Sequence, residues 1–262
     1  MNFANKTALV TGASSGIGKV FATELAKKGC HLILVARSQD KLEQIAEELH
    51  SAYSVQIVPL SIDLSAVHAA EKLAREVEVR GLTVDILVNN AGFGTMGEFH
   101  SITSARIQQE IHLNVSSLTE LTHLFISPMA KRKEGIIINV ASMTAFQPAP
   151  YMAVYGATKA YVLSFTEALW AEYNDTGVQI IALCPGETQS SFHAVSGTDS
   201  LTSKRMEPID VVNAAFEGLG KKRSHIIVGR KNYMMAQLPR LLPRSTVVQF
   251  AKGVFQSALS NK

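Results

Sequence analysis

The chain lacks most features that mark a secreted, metal-binding or membrane-spanning protein. Only two cysteines occur in 262 residues, Cys30 and Cys184, and neither has His or Cys neighbours at the spacing of a zinc site. Two lone cysteines favour a reducing compartment, since secreted chains tend to use paired frameworks. No stretch reaches the roughly 20 apolar residues of a membrane span, and residues 1–6 do not resemble a signal peptide. We therefore expect a cytoplasmic protein without a bound metal.

Charge is nearly balanced but unevenly distributed. The 25 basic and 22 acidic residues give a net charge of +3, yet the chain from Lys204 onward carries +8 and the first 203 residues carry −5. A basic C-terminal region can attract phosphates, acidic carrier proteins or anionic lipid, although a solvated basic surface is the simpler interpretation. Aromatic residues are not interleaved with these charges, so we do not expect nucleic-acid binding.

Short apolar runs alternate with longer segments of helical periodicity. The runs are rich in Val, Ile and Leu without polar alternation, which is typical of parallel strands buried on both faces. The predicted strands are residues 7–11, 31–36, 55–60, 85–89, 135–141, 178–184 and 226–228. The predicted helices include residues 17–28, 40–50, 66–80, 104–129 and 155–174. This alternation predicts one α/β domain over residues 1–262, a doubly wound parallel sheet of about seven strands with helices on both faces.

Two segments fall outside the alternation. Residues 187–207 are rich in Ser, Thr and Gly and follow the carboxyl end of a predicted strand, where such sheets bind ligands, so we interpret them as a substrate lid. Residues 229–262 form a C-terminal extension that mixes Arg with large apolar residues. Core or subunit-interface packing is the favoured interpretation of its apolar stripe, with a substrate wall or a lipid-facing surface as alternatives. Pro239 and Pro243 break any single long helix there, which weakens the membrane alternative. The stripe consists of Val247, Val248, Phe250, Ala251, Val254 and Phe255.

A glycine-rich turn follows the first predicted strand and opens the first helix. Gly12 suits a tight turn, Gly16 allows the backbone to approach a pyrophosphate closely, and Gly18 lets the helix pack on the sheet. The helix N-terminus presents free N–H groups and the positive end of the helix dipole. In this context the turn indicates nucleotide binding, with a turn without a ligand as the alternative. The residues predicted to hold the cofactor here are Gly12, Ser14, Ser15, Gly16, Ile17 and Gly18.

The end of the second predicted strand points to the type of nucleotide. Dinucleotide folds that hold NAD usually place a carboxylate here for the ribose 2′-hydroxyl. This strand ends with Arg37 and Ser38 and has no carboxylate. The Arg37 guanidinium offers a fork for a 2′-phosphate, which favours NADP(H) over NAD(H). The alternative is an arginine that contacts only solvent.

A tyrosine and a lysine lie four residues apart at the start of a predicted helix. Tyr155 and Lys159 therefore share one helix face. A nearby ammonium stabilises a phenolate and lowers its pKa toward the working range, as an acid/base catalyst requires. Tyr151 is the rival tyrosine, but no lysine stands four residues beyond it. Ser142 closes the fifth strand at the same edge of the sheet, and Asn114 is a polar residue inside a long predicted helix.

Together these motifs resemble the single-domain branch of the short-chain dehydrogenases/reductases, from Lys6 to about Val228. The resemblance implies a Rossmann-type fold, a nicotinamide cofactor and hydride transfer between that cofactor and a carbonyl or alcohol. The matching residues are the turn at 11–18, Asp63-Leu64, Asn89-Asn90-Ala91-Gly92, Asn114, Ser142, Tyr155, Lys159 and Pro185-Gly186.

The resemblance also implies roles for the matching catalytic residues. Tyr155 is expected to donate a proton to the substrate carbonyl or to accept one from an alcohol. Lys159 is expected to hold the nicotinamide ribose and lower the pKa of the tyrosine. Ser142 is expected to steady the developing oxyanion, and Asn114 to hold a water that links Lys159 to solvent.

Further matching residues are implied to bind the cofactor. Asp63 is expected to contact adenine, Asn90 to anchor the turn after the fourth strand, and residues 185–188 to approach the nicotinamide. The remaining cofactor-binding residues of this group are Leu64, Ala91, Gly92, Pro185, Gly186 and Thr188.

The leading hypothesis is an NADP(H)-dependent oxidoreductase acting on a moderately apolar ketone or secondary alcohol. A narrower alternative is reduction of a 3-ketoacyl group on an acidic acyl carrier docked by the basic C-terminal region. A non-catalytic nucleotide sensor is disfavoured, because a sensor has no need of Tyr155 and Lys159. The family resemblance also implies a homodimer or homotetramer formed through helices 104–129 and 155–174.

Overall fold

Seven parallel strands form one sheet in the computed structural model, which describes residues 2–198, 205–221 and 223–260. The strands are β1 (Thr7–Thr11), β2 (His31–Ala36), β3 (Ile57–Ser61), β4 (Ile86–Asn89), β5 (Gly135–Val140), β6 (Val178–Cys184) and β7 (His225–Ile227). Their order is β3-β2-β1-β4-β5-β6-β7, and every neighbouring pair is parallel. The predicted Rossmann-type sheet is confirmed, with strand ends displaced by at most two residues.

Helices cover both faces of the sheet. They are α1 (Gly16–Lys27), α2 (Gln39–Tyr53), α3 (Ala69–Val79), α4 (Ser104–Ile111), α5 (Leu118–Arg132), α6 (Ala153–Tyr173), α7 (Phe192–Ser196), α8 (Pro208–Leu219), α9 (Arg230–Gln237) and α10 (Arg244–Ser260). Successive strand residues point to opposite faces, so Val10 packs with Phe21 of α1 whereas Leu9 packs with Leu73 of α3. Both faces of each central strand are therefore buried, which accounts for the unbroken apolar runs of the sequence.

The predicted helix over residues 104–129 is interrupted in the structure. A π-helical segment, His112–Ser117, separates α4 from α5 and contains Asn114. The wider turn carries the Asn114 side chain to the backbone of Phe93, where its amide both accepts and donates a hydrogen bond. Hydrophobic periodicity does not distinguish a π turn from an α turn, because both keep the same apolar face over a single turn.

The described parts of residues 187–207, namely 187–198 and 205–207, contain regular structure. The segment contains α7, and Thr188 pairs with Met206 as an isolated parallel bridge. His193 of α7 contacts one residue before the helix and one after it. Its Nε2 lies 3.0 Å from the Thr188 carbonyl oxygen, and its Nδ1 lies 2.9 Å from Thr198 Oγ1. Residues 199–204 of the predicted lid lie outside the described residues.

The C-terminal extension consists of two helices, as the prolines indicated. α9 ends at Gln237, a 3₁₀ turn spans Leu238–Arg240, and α10 begins at Arg244. The predicted apolar stripe is only partly buried, because Val247 and Ala251 face the protein whereas Phe250 is exposed. In the described ranges of the chain, we find no helix with the length and hydropathy needed to cross a membrane.

Four buried polar side chains connect the centre of the sheet to its covering helices. Asn89 and Asn139 lie opposite each other at the ends of β4 and β5, and Asn89 Nδ2 donates to Asn139 Oδ1 at 2.9 Å and to Thr122 Oγ1 of α5 at 3.0 Å. Asn139 Nδ2 donates to Thr166 Oγ1 of α6 at 3.1 Å. These bonds set the ends of two strands relative to the helices that carry candidate catalytic residues.

Replacing Asn139 with leucine tests this network. The Asn139→Leu change removes the acceptor of Asn89 and the donor to Thr166, so we expect the free energy of unfolding to fall by about 1–3 kcal/mol. Urea denaturation measures the difference. The control, Gln179→Leu on the exposed position of β6, should stay within about 0.5 kcal/mol. An equal loss in both variants would show that the network does not stabilise the fold.

Candidate active site

Two turns at the carboxyl edge of the sheet are joined through the Thr11 side chain. Thr11 Oγ1 accepts hydrogen bonds from the N–H groups of Asn90 and Ala91, both at 2.9 Å, and donates to the carbonyl oxygen of Val88 at 3.2 Å. The Asn90 amide donates back to the Thr11 carbonyl at 2.9 Å. The turn after β1 and the turn after β4 are thereby held as one unit, with Asn90 at the junction.

The glycines of the first turn meet a strict steric requirement. Gly12 and Gly16 have φ angles of +66° and +54°, a region that L side chains rarely adopt. A side chain on Gly18 would collide with the carbonyl oxygen of Gly12, so helix and turn approach too closely for any other residue. Ser14, Ser15 and Ile17 are half-buried along the turn. This backbone cradle at the start of α1 fits a pyrophosphate group.

The lid segment reaches the glycine turn. Ser15 Oγ and Ser191 Oγ lie 2.8 Å apart, and a Cβ on Gly16 would come within 2.8 Å of Ser190 Cβ. The start of the lid therefore borders the space in front of the turn. Sequence reasoning placed the lid near a ligand but did not predict its contact with the glycine turn.

The residues predicted to hold the adenosine half of the cofactor lie beyond β2 and β3. Arg37 follows β2 directly, and its side chain is exposed. Asp63 is exposed after β3, and its Oδ1 accepts bonds from Ser65 N–H at 3.0 Å and Ser65 Oγ at 2.7 Å. Leu64 is buried, and its carbonyl oxygen accepts a bond from Ser117 Oγ. The exposed Arg37 guanidinium therefore lies just beyond β2, and the Asp63 carboxylate, held by Ser65, lies just beyond β3.

Tyr155 lies in the first turn of α6 and is enclosed by apolar side chains. Its cluster includes Met96, Ala149 and Met152, and its ring centroid lies 5.2 Å from that of Phe192 in the lid. Burial raises the pKa of Tyr155 to about 12, while a hydrogen bond with the Ser142 side chain acts in the opposite direction. Ser142 thus lies next to the phenol. In this closed arrangement Tyr155 is held as a neutral phenol.

Lys159 lies one helical turn beyond Tyr155 and is buried. Its Nζ donates a hydrogen bond of 2.7 Å to the carbonyl oxygen of Val140 at the end of β5 and lies 5.8 Å from the Tyr155 ring centroid. Burial lowers the pKa of Lys159 to about 8, against the opposing influence of Cys184 and Glu110. The expected lowering of the tyrosine pKa by the lysine is not seen here, because burial disfavours the charged form of both groups.

Asn114 completes the group but uses its side chain differently from the expectation. Its Nδ2 donates to the Phe93 carbonyl at 2.8 Å and to Thr158 Oγ1 at 3.1 Å, and its Oδ1 accepts from Phe93 N–H at 3.1 Å. Both amide donors are therefore occupied within the protein. A Cβ on Gly92 would lie 2.9 Å from Asn114 Oδ1 and 3.5 Å from Lys159 Nζ. Gly92 thus keeps open the space between these two polar atoms.

The structure adds a carboxyl group that sequence reasoning missed. Glu110 of α4 is buried, and its Oε1 has no hydrogen-bond partner among the described residues. Burial raises the pKa of this carboxyl, while the Thr95 hydroxyl and the charges of Arg106 and Lys159 oppose the shift. The negative charge of Glu110 in turn raises the pKa of Tyr155 and of Lys159. The available signal was the four-residue spacing that places Arg106, Glu110 and Asn114 on one helix face.

A second group of contacts joins α7, within the predicted lid, to the segment after β4 and to α4. Arg106 donates from Nε to Thr95 Oγ1 and from Nη2 to the Val195 carbonyl of α7, both at 3.1 Å. Its guanidinium also lies 4.0 Å from the centroid of the Phe93 ring. The Met96 N–H donates to the Ser196 carbonyl at 2.9 Å. The turn after β4 and the lid are therefore bonded to each other directly and through α4.

The segment after β6 borders the same space. The Pro185 carbonyl accepts a hydrogen bond from Met143 N–H at 2.9 Å, which ties the segment to the turn that begins at Ser142. A Cβ on Gly186 would come within 2.5 Å of Asn232 in α9. Thr188 is buried, and its hydroxyl donates to the Gly186 carbonyl at 3.0 Å. Pro185, Gly186 and Thr188 thus lie beside the ends of β5 and β6.

Comparison with known proteins identifies the family. The family model for short chain dehydrogenase matches residues 6–200. The chain is 36% identical to very-long-chain 3-oxoacyl-CoA reductase-B of Danio rerio over 184 residues, which cover 69% of this chain but only 58% of that relative. It is 32% identical to 7beta-hydroxysteroid dehydrogenase of Clostridium sardiniense over 231 residues, or 86% of this chain and 88% of that one.

A solved structure gives the same result. A short-chain dehydrogenase from Sphingobium yanoikuyae in complex with NADPH superposes with a TM-score of 0.80 at 32% identity, covering 85% of this chain and 87% of that chain. The chain belongs to the short-chain dehydrogenase family of oxidoreductases.

Proposed function

We propose that the protein is an NADP(H)-dependent oxidoreductase that interconverts a moderately apolar ketone and its secondary alcohol. The observation that carries this proposal is the position of Tyr155 at the carboxyl edge of the sheet, with the Ser142 side chain beside its phenol and Lys159 one helical turn away. When bound, the nicotinamide supplies or takes up the hydride. The chain's own residues then have to orient the substrate and move one proton.

The proton chemistry follows from the environment of Tyr155. During reduction, the Tyr155 O–H gives its proton to the carbonyl oxygen, and the Ser142 hydroxyl donates a hydrogen bond to the same oxygen as negative charge develops. During oxidation, Tyr155 takes the proton from the alcohol. After reduction, the Lys159 ammonium beside the tyrosine supplies the proton that restores the Tyr155 O–H. Because the Asn114 amide donors are occupied, its free carbonyl lone pair is the group left to hold a water toward Lys159.

The preference for NADP(H) rests on Arg37 and on the absence of a carboxylate at the end of β2. The exposed guanidinium can form two parallel hydrogen bonds with a 2′-phosphate. Gly12, Gly16 and Gly18 supply the backbone cradle for the pyrophosphate, and Asp63 lies beside the predicted adenine position. The NADPH complex of the Sphingobium yanoikuyae relative supports this assignment.

The substrate class follows from the side chains around Tyr155. Met96, Ala149 and Met152 pack with it, and Phe192 of α7 and Phe255 of α10 lie against them. Ser142 and the phenol itself supply polar contacts at this apolar wall, which suits a moderately apolar ketone. Reduction of a carrier-linked 3-ketoacyl group is the second candidate, favoured by the basic C-terminal region and by the activity in the name of the Danio rerio relative.

We also propose the organisation that this activity requires. Residues 1–262 form one catalytic domain, residues 187–207 act as the substrate lid, and residues 229–262 extend the wall of the cleft. Subunits pair through α5 and α6, where Tyr161 is exposed and stacks on Phe165 with centroids 5.6 Å apart. The protein acts in the cytoplasm.

Replacing Tyr155 with phenylalanine tests the acid/base assignment. The Tyr155→Phe variant keeps the ring packing but has no proton to transfer, so we expect kcat to fall by about 100-fold to 10,000-fold. Its Kd for NADPH, measured by fluorescence titration, should stay unchanged. The control Tyr151→Phe, at the rival tyrosine, should keep its activity. Retained activity in Tyr155→Phe would contradict the assignment.

Replacing Arg37 with alanine tests the cofactor preference. Loss of the charged hydrogen bonds should lower kcat/KM for NADPH by roughly 10-fold to 100-fold. The kcat/KM for NADH should be unaffected, and Arg80→Ala at the exposed end of α3 provides the control. The rates are read from the absorbance of the reduced cofactor. A wild-type preference for NADH would overturn the NADP(H) assignment.

Replacing Glu110 with glutamine tests the third ionisable group of the site. The Glu110 charge raises the pKa of Tyr155 and Lys159, so its removal should lower both. Alcohol oxidation needs the deprotonated tyrosine, and its rise with pH should therefore begin at a lower pH in Glu110→Gln. The measurement is the pH profile of kcat/KM for oxidation. Glu98→Gln, a largely exposed carboxylate, should leave the profile unmoved; an unmoved profile in Glu110→Gln would count against the coupling.

A further inference from the structure

Exposed large apolar side chains are concentrated in the C-terminal extension. Of the sixteen large apolar side chains that are exposed among the described residues, seven lie within the 18 residues 233–250. Leu241, Phe250 and Met234 are 80%, 72% and 71% exposed. A concentration of this kind marks an interaction surface rather than scattered surface residues. We name it the C-terminal patch, and its members are Tyr233, Met234, Met235, Leu238, Leu241, Leu242 and Phe250.

The helices that carry the patch are docked on the protein. Ala236 of α9 and both Val247 and Ala251 of α10 are buried on the inner side. Asn232 Nδ2 donates to the Val228 carbonyl at 2.7 Å, which fixes the start of α9. The patch is therefore the outer side of a packed element, and its side chains are presented to the surroundings by buried residues of the same helices.

The charged residues of the segment that carries the patch are all of one sign. Residues 229–256 contain five basic residues and no Asp or Glu. All five are exposed, and in the described part of the chain no ion pair involves them. They are Arg230, Lys231, Arg240, Arg244 and Lys252. The surface is thus both apolar and strongly cationic.

The apolar side chains and the positive charge of the patch together indicate which kind of partner binds there. A second copy of the chain in a two-fold interface would place five cations against five cations. An acidic protein would balance the charge but has to bring a matching apolar face as well. An anionic bilayer offers negative headgroups and an apolar interior at one surface. We propose that α9, the Leu238–Arg240 turn and α10 form a peripheral binding surface for an anionic lipid bilayer.

The geometry of the segment fits an element that lies in the plane of the interface. α9 has eight residues and α10 has seventeen, and Pro239 and Pro243 separate them. Basic side chains flank the apolar ones, as in interfacial helices whose long cationic side chains reach the headgroups. On its inner side α10 places Phe255 against the cluster of Met152 and Tyr155. The element that contacts the bilayer therefore also forms part of the wall around the candidate active site.

Vesicle sedimentation of the full chain tests the proposal without reference to activity. The probes are vesicles of phosphatidylcholine alone and of phosphatidylcholine with phosphatidylglycerol at three to one. We expect binding to the anionic vesicles that weakens as salt is added. Leu241→Ser/Phe250→Ser and Arg240→Gln/Arg244→Gln should each lower the partition coefficient by at least about tenfold. Circular dichroism and urea denaturation verify that both variants fold.

Matched controls locate the binding surface. Val67→Ser/Val79→Ser removes two exposed apolar side chains in and next to α3. Lys41→Gln/Lys131→Gln removes two exposed cations outside the C-terminal extension. Neither should change the partition coefficient. Equal losses in test and control variants would overturn the location, and equal binding to both vesicle types would overturn the anionic requirement.

A different outcome would show that the patch binds a second copy of the chain instead of a bilayer. In that case the wild-type protein would not bind vesicles, and sedimentation equilibrium would show a dimer that Leu241→Ser/Phe250→Ser dissociates. That result would overturn the lipid proposal while leaving the proposed oxidoreductase activity untouched. Conversely, an inactive protein that binds anionic vesicles through the patch would support the lipid proposal alone.

Discussion

The hydroxyl group of Thr11 is the junction on which the site depends. It accepts two backbone N–H bonds from the turn after β4 while its own backbone begins the turn after β1. A parallel sheet opens a crevice where its strand order changes direction, here between β1 and β4. Without a bond across that crevice, the glycine cradle and the Gly92 turn would move independently. With it, Gly92 stays between Asn114 and Lys159, and the spacing of the site follows from the sheet.

Burial and charge act against each other around the catalytic pair. Burial favours the neutral forms of both Tyr155 and Lys159, since each ion loses solvation in the apolar cluster. A neutral phenol is the proton donor that carbonyl reduction needs, so the closed arrangement is suited to that direction. Oxidation needs the phenolate, which gains from the Ser142 hydrogen bond and loses from the Glu110 charge. Phe192, whose ring lies against Tyr155, contributes to the burial that raises the pKa of the phenol.

Much of this could be read from the sequence, and the reason differs from feature to feature. The strands were predictable because Leu9 and its neighbours are buried on both faces, and the turn because only glycine tolerates the backbone at Gly12 and Gly16. The spacing of Tyr155 and Lys159 fixed their common face. The π turn at Asn114 and the burial of Glu110 were not predictable, because both depend on contacts with the turn after β4. Long-range packing decides such contacts, and a local pattern does not encode it.

In the C-terminal extension, too, the sequence predicted some features and not others. Its prolines forecast two helices, and the buried Val247 and Ala251 agree with an inward stripe. Periodicity alone also placed Phe250 in that stripe, yet its ring faces outward. Val247, Ala251 and Phe255 are four residues apart and therefore share the inner face of α10, whereas Phe250 is out of step with that spacing. Phe255 of the same helix packs against the cluster that contains Tyr155, so α10 carries both Phe250 of the exposed C-terminal patch and part of the wall around the candidate active site.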